Sequence, residues 1–500
     1  MSAKKEIDTP EFCDLFLDPV SEASKTNDTK KKISSYGAVA ISSKTSSHDN
    51  KFLRTRSSFV EDFIAQSPGS IPHSIVVALI IGTTCGIAAN VYYVVLEWSL
   101  KTMWKTLPNK FVVGAWPDWT HPFWITFIGF VMAIGVGLTV LILGEPGDIA
   151  STVKAVHHKG YLSMDHCMPM VLASLFTMAG GGSLGPEAPL VAICACLGGF
   201  VSRMVFKQTE RNIIRKHTLM GMAGALSAFF GAPLGGSLFA LEINSRLGVE
   251  YFEHVVESVF CGEITLIVFR SSSNLPIGPI WTMTSSPMGP TKPSYIFIGA
   301  FIGLLGAFAA ACFAHFHWAL MGIFNKMNVL KHENAVGRAL LGASAILTIG
   351  IFIPQTLFWG EIEFQQISTL SANEDLPHVW PTSGLIDFEM DSGFKCFLVG
   401  FFKMIAISFS LAGGYRGGFI FPFFAAGAAF GRAIMFIVPS LPSPYACLCF
   451  AASINVAITR TSLATPIILC FLSNQQNAMS AVLAASLSSL FATSYMVRGF

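Results

Sequence analysis

Charge is what this sequence has least of. Lys, Arg, Asp and Glu make up 12% of its 500 residues, about half the quarter that soluble domains carry, which excludes an ordinary water-soluble fold. The formal net charge of +2 leaves no basic surplus for nucleic acid, so no such partner is expected. The eleven cysteines lack the spacing of a metal site or a disulfide frame. Most sit inside apolar stretches (Cys194, Cys196, Cys312, Cys470) and read as small hydrophobes. No metal, cofactor or enzymatic role is expected. An apolar leader is missing too: Asp8, Glu11, Asp14 and Asp18 stand near the start, which disfavours a secretory or transit signal.

What is present is apolar. Hydrophobic residues make up 52% and the mean hydropathy is +0.57. Runs such as "SIVVALIIGTTCGIAANVYYVVL", "FWITFIGFVMAIGVGLTVLIL" and "YIFIGAFIGLLGAFAAACFAHF" are long enough to cross a bilayer core of about 30 Å. The reading is an all-α, polytopic membrane protein. Residues 1–70 are polar and Lys/Ser-rich, a disordered tail. Lys30 to Lys32, Lys51, Arg54 and Arg56 precede the first span, which puts that end in the cytosol.

Two short segments resemble each other. "GPEAP" (Gly185 to Pro189) and "GFIFP" (Gly418 to Pro422) are both G-x-x-x-P after a glycine cluster, with their prolines 233 positions apart. The segments that follow, "AGALSAFFGAPLGGSLFALEI" and "AASINVAITRTSLATPIILCFL", repeat at nearly the same offset. The chain therefore divides into two related membrane halves, 71–285 and 286–500, and such duplication places a binding site between the halves.

Glycine permits close backbone approach, and proline suits a helix's first turn because it lacks an N–H. A G-x-x-x-P element entering a helix presents unpaired N–H groups at the positive end of the helix dipole, an anion site built without lysine or arginine. Glu187, at one such start, is positioned to occupy the place of an anion and to leave on protonation. The bland alternative is an acid that only stabilises its own helix dipole.

At these residues the chain resembles the CLC family of chloride channels and anion/proton antiporters. "SLGPEAPLVAI" is similar to the family's gating-glutamate segment, and "GGFIFPFFAAGAAFG" to its G-x-F-x-P segment. The resemblance implies inverted halves of tilted and broken helices, a homodimer with one pore per subunit, and chloride or another small anion as the ion carried. It implies a gate at Glu187 and anion contacts at Gly185, Pro186, Ala188, Gly418, Phe419, Ile420 and Phe421. Backbone N–H groups make those contacts, Pro186 having none. Pro186 and Ala188 stand where the family has a basic residue and a glycine, so positive potential at the entrance should fall. Ile420 stands where its motif has phenylalanine. A third motif has only "GEPGDIAST" as counterpart, so Gly144, Glu145 and Gly147 become the weaker anion-site candidates. Glu145 or Asp148 there would repel an anion, and capping the following helix is the favoured role. For the pore tyrosine the final segment offers only Tyr495. The regulatory C-terminal domain pair common in the family is not expected.

Family antiporters carry an inner proton-accepting glutamate, and Ile243 stands at that place, where isoleucine relays no proton. Neighbouring Glu242 matches an acid of structural role. Passive anion conduction is therefore the expected activity and proton-coupled exchange the alternative, with a non-conducting scaffold beyond them. "GGGSLG" offers Ser183 as a hydrolase nucleophile, but its nearest histidine in sequence, His217, reads as a solvated loop residue. His157 and His158 read as exposed loop histidines rather than a metal pair.

Overall fold

The computed structural model describes residues 71–147, 149–245, 254–283, 292–369 and 376–496. The expected tail (1–70), Asp148 and the expected junction at 285/286 lie outside the described residues. The chain divides into Met1–Val77, of which only the start of the first helix is described, and Ala78–Phe500, which holds everything discussed below.

All regular structure among the described residues is helical, apart from one isolated backbone bridge. The first set of helices is α1 (Ile71–Lys101), α2 (Phe123–Leu143), α3 (Ile149–Lys159), α4 (Met164–Ala179), α5 (Glu187–Phe200), α6 (Arg211–Phe230), α7 (Pro233–Ser245) and α8 (Val255–Ser273). A second set follows in the same order: α9 (Pro293–Lys326), α10 (Ala335–Phe352), α11 (Glu363–Thr369), α12 (Gly393–Ala412), α13 (Ile420–Ile437), α14 (Cys449–Thr459), α15 (Ala464–Leu472) and α16 (Met479–Met496). Each set opens with a long helix, and its third helix is short. Among the described residues, seven helices are long and apolar enough to cross a membrane.

The sequence explains these boundaries locally. α2 is an uncharged apolar run that begins after Pro122 and stops at Gly144, whose φ of 93° only glycine adopts readily. In lipid, apolar burial gives helices little reason to associate, so close packing must do it. Gly221 of α6 meets the Cys194 carbonyl of α5, and Gly303 of α9 meets the backbone of Ala485 on α16, both too closely to admit a Cβ. Packing also crosses between the sets, as α2 lies on α10 and α7 on α15.

One buried cation locks the second set. The Lys403 Nζ of α12 donates to three main-chain carbonyls, Thr356 (3.0 Å), Leu357 (3.0 Å) and Phe358 (2.6 Å). These end the short turn after α10, so one ammonium uses its three donors on groups that no helix pairs.

Two histidine expectations change here. His217 is not a loop residue: it is buried in α6, with Nδ1 2.8 Å from the Ser202 hydroxyl. His157 and His158 lie in the last turn of α3.

Candidate functional site

The two G-x-x-x-P elements meet. Gly185 N–H donates to Gly418 C=O at 2.6 Å, and Gly418 N–H donates to Gly185 C=O at 2.7 Å. This pair is the isolated bridge, and it brings the starts of α5 and α13 together. Side chains are excluded from the approach: a Cβ on Gly418 would overlap the Glu187 carboxylate, and one on Gly417 would press on the Gly185 carbonyl.

Glu187 opens α5 and is buried, 1% exposed. Its Oε1 accepts the Phe421 N–H at 3.1 Å. Phe421 is the second residue of α13, where main-chain N–H groups have no partner within the helix. The carboxylate of one set thus sits on the helix start of the other, the position a bound anion would take. Its second oxygen, Oε2, is buried without a hydrogen-bond partner. Around Phe421 stand the rings of Phe229, Phe230, Phe424 and Trp281, with centroids 5.3, 5.7, 5.7 and 5.9 Å away. They keep the contact in a setting of low polarity.

The N–H donors differ from expectation in one respect. Those of Gly185 and Gly418 are spent on each other, so in this conformation neither reaches an anion. Of the expected donors, Phe421 is the one that holds the carboxylate. Phe419 and Ile420 flank it at the helix start, and Pro186 and Ala188 flank Glu187.

Glu145 also differs. It does not act as the expected cap of α3. Both of its oxygens accept from Arg338 Nη2, at 2.9 and 2.8 Å, and it pairs with Arg416 as well. Burial alone would raise its carboxyl, but Arg416, Arg338 and then His332 hold it below the usual range. One carboxylate against two guanidiniums leaves a positive surplus where repulsion was expected. Arg416 stands two residues before Gly418, and its N–H donates to the Thr177 hydroxyl at 3.1 Å, so this charge adjoins the bridge. Gly144 and Gly147 shape the turn that carries Glu145.

Glu242 accepts from the N–H groups of Leu463 (3.1 Å) and Ala464 (2.9 Å) and caps α15, leaving Ile243 beside it without proton chemistry. Tyr495 falls in α16, but its side chain lies outside the described residues. Tyr92, which sequence reasoning passed over, lies within electrostatic range of Glu187 and is 2.9 Å from the Ser174 hydroxyl. Ser183 is buried, and its N–H donates to Ser410 Oγ at 3.2 Å. His217 is committed to Ser202, so it gives Ser183 no base.

The geometry is that of a helical, multi-pass membrane protein in which two glycine-rich helix starts converge on one buried carboxylate. The family described as "Voltage gated chloride channel" matches residues 144–494, and the chain belongs to that family. Among its relatives, the "Putative ion-transport protein YfeO" of Escherichia fergusonii is 25% identical over 365 residues, 72% of this chain and 78% of that protein. Its counterpart in Salmonella choleraesuis is 26% identical over 393 residues, 77% and 85% of the two chains. A slow cyanobacterial Cl-/H+ antiporter has a similar fold, with a TM-score of 0.68 at 14% identity over 85% of this chain and 95% of its own. A CLC-type fluoride/proton antiporter gives a TM-score of 0.65 at 16% identity, over 86% and 98%. The fold is thus the CLC arrangement of two inverted halves.

Proposed function

We propose that this chain exchanges a small anion, chloride first among them, for protons, and that Glu187 both closes the anion path and takes the proton. The observation that carries this reading is the Glu187 carboxylate on the Phe421 N–H. A deprotonated carboxylate competes with the anion for that helix start, and a protonated one gives it up. The two antiporters that share the fold support exchange over passive conduction, the activity that Ile243 alone favours. Passive conduction remains the second reading because of that isoleucine.

The deciding experiment is the purified protein in liposomes, with an outward chloride gradient and a pH-sensitive dye. Protons should move uphill as chloride leaves. Chloride leaving without proton movement establishes the passive reading, and no anion flux at all establishes a scaffold.

Arg416 supplies a second expectation. Arg416→Gln leaves Glu145 balanced by Arg338 alone and removes the positive surplus. Half-saturating chloride should rise by roughly threefold to tenfold, measured as flux against chloride concentration, with the pH dependence unaltered.

A further inference from the structure

The family resemblance gives antiporters a second proton-handling acid, and here that position holds Ile243 while Glu242 is occupied as a cap. We propose that Glu361, backed by the His378–Glu363 pair, is the acid that trades protons with Glu187. The proposal rests on the gate reading of Glu187 and adds groups to which nothing above assigns a role.

Glu361 follows Gly360, whose φ of 86° lets the turn press onto Ala425 of α13, the helix that holds Glu187. The turn is fixed from several sides. Trp281 Nε1 donates to the Glu361 carbonyl at 2.7 Å, and the same indole stacks on Phe364 at 4.0 Å and stands edge-on to Phe421. Trp359 Nε1 donates to Glu361 Oε2 at 2.9 Å, while the Trp359 ring lies 4.8 Å from His378. His378 Nδ1 is 3.3 Å from Glu363 Oε1, and Glu363 Oε2 is buried without a partner. One tryptophan therefore joins the acid to the imidazole–carboxylate pair, and another joins the acid's backbone to the residue on which Glu187 rests.

The charged surroundings fit a proton donor. Glu361 acts electrostatically on Glu187 of α5, and it faces Arg270 of α8, Tyr93 of α1, His378 and Glu363. Glu97 of α1 acts on His378, and Lys403 of α12 acts on Glu363. Burial raises the Glu361 carboxyl, against the Trp359 hydrogen bond and the charges of Arg270 and His378. For Glu363 burial pushes up, but His378 wins and holds it low. His378 is correspondingly raised, its burial outweighed by Glu363. The His378–Glu363 contact favours the charged pair, while burial makes Glu361 the member that binds a proton more readily than a free carboxylate. Once Glu361 releases that proton, it still carries a negative charge toward Glu187. Glu361 is only partly buried, so solvent can refill it, while Glu363 and His378 lie deeper.

The test is the pH profile of chloride flux from liposomes, together with proton uptake, for wild type, E361Q and E361D. Glutamine removes a negative charge near Glu187, which then releases its proton more readily. The E361Q midpoint should move to lower pH by about one unit or more, with proton uptake at neutral pH down at least tenfold. E361D should restore both. W359F, which deletes the hydrogen bond to Glu361 and keeps an aromatic ring beside His378, should give a smaller shift of the same sign and serves if E361Q does not fold. A merely structural residue would change protein yield and total flux but not the midpoint, so unmoved midpoints overturn the proposal. Wild-type chloride flux without proton uptake fells the exchanger reading alone, because the midpoint shift still decides Glu361. Wild-type flux with no pH dependence overturns both.

Discussion

Glu187→Ala opens the anion path and removes its dependence on pH. The side chain that competes for the Phe421 N–H is gone, so the helix start is available to an anion at every pH. With Glu187 present, flux should rise as pH falls, because protonation takes the carboxylate off its donor. The variant should conduct chloride equally from pH 5 to pH 8 and move no protons against the chloride gradient. Loss of proton coupling should be complete, since the acid that closes the path is also the one that carries the proton. Glu187→Gln should behave similarly, as a neutral amide is a poorer partner for an N–H at the positive end of a helix. The same liposome assay reads both. Retained pH dependence in Glu187→Ala would reduce the residue to a cap on α13.

Lys403→Met should be the most damaging change to stability. The thioether fills a similar volume, yet it leaves the carbonyls of Thr356, Leu357 and Phe358 without their shared donor and takes one of two nearby cations from Glu363. Removing one partner from a buried charged network costs about 3–5 kcal/mol, a large share of the roughly 5–15 kcal/mol that holds a typical domain together. The measurement is the fraction of detergent-solubilised protein that stays monodisperse after stepwise heating. Lys403→Arg should recover little, because a planar guanidinium cannot point three donors at three carbonyls around one atom.

Local patterns made much of this molecule readable from its residues. The apolar spans and the two glycine-rich helix entries are written in contiguous stretches whose physics is short-range, and the repeat of one entry in the other is what pointed Glu187 toward the "GFIFP" segment. Glu242 as a structural acid beside Ile243 came instead from the family resemblance, since the N–H groups it accepts from lie 221 and 222 positions away. Contacts between distant loops were not readable. Glu145 looked like a repulsive acid or a helix cap because its two arginines lie 193 and 271 positions away, and no spacing rule connects them. The mutual pairing of Gly185 and Gly418 was equally hidden, since a glycine that frees an N–H and one that spends it look alike in sequence. The Glu361 cluster assembles from Trp281, Trp359, Glu363 and His378, none of which forms a motif.

The bridge at the centre also constrains how the protein is made. Glu187 leaves the ribosome 234 residues before Phe421, the group that pairs with it. At synthesis rates of about 5–20 residues per second that interval is on the order of tens of seconds. Through it the nascent first half carries a carboxyl group with no donor, together with the unmatched main chain of Gly185. The early half is therefore an incomplete object in the bilayer, and its centre closes only after α13 is inserted. A first half released into lipid before residue 421 is made would hold Glu187 as a neutral acid, which ionises onto its Phe421 donor only when α13 arrives.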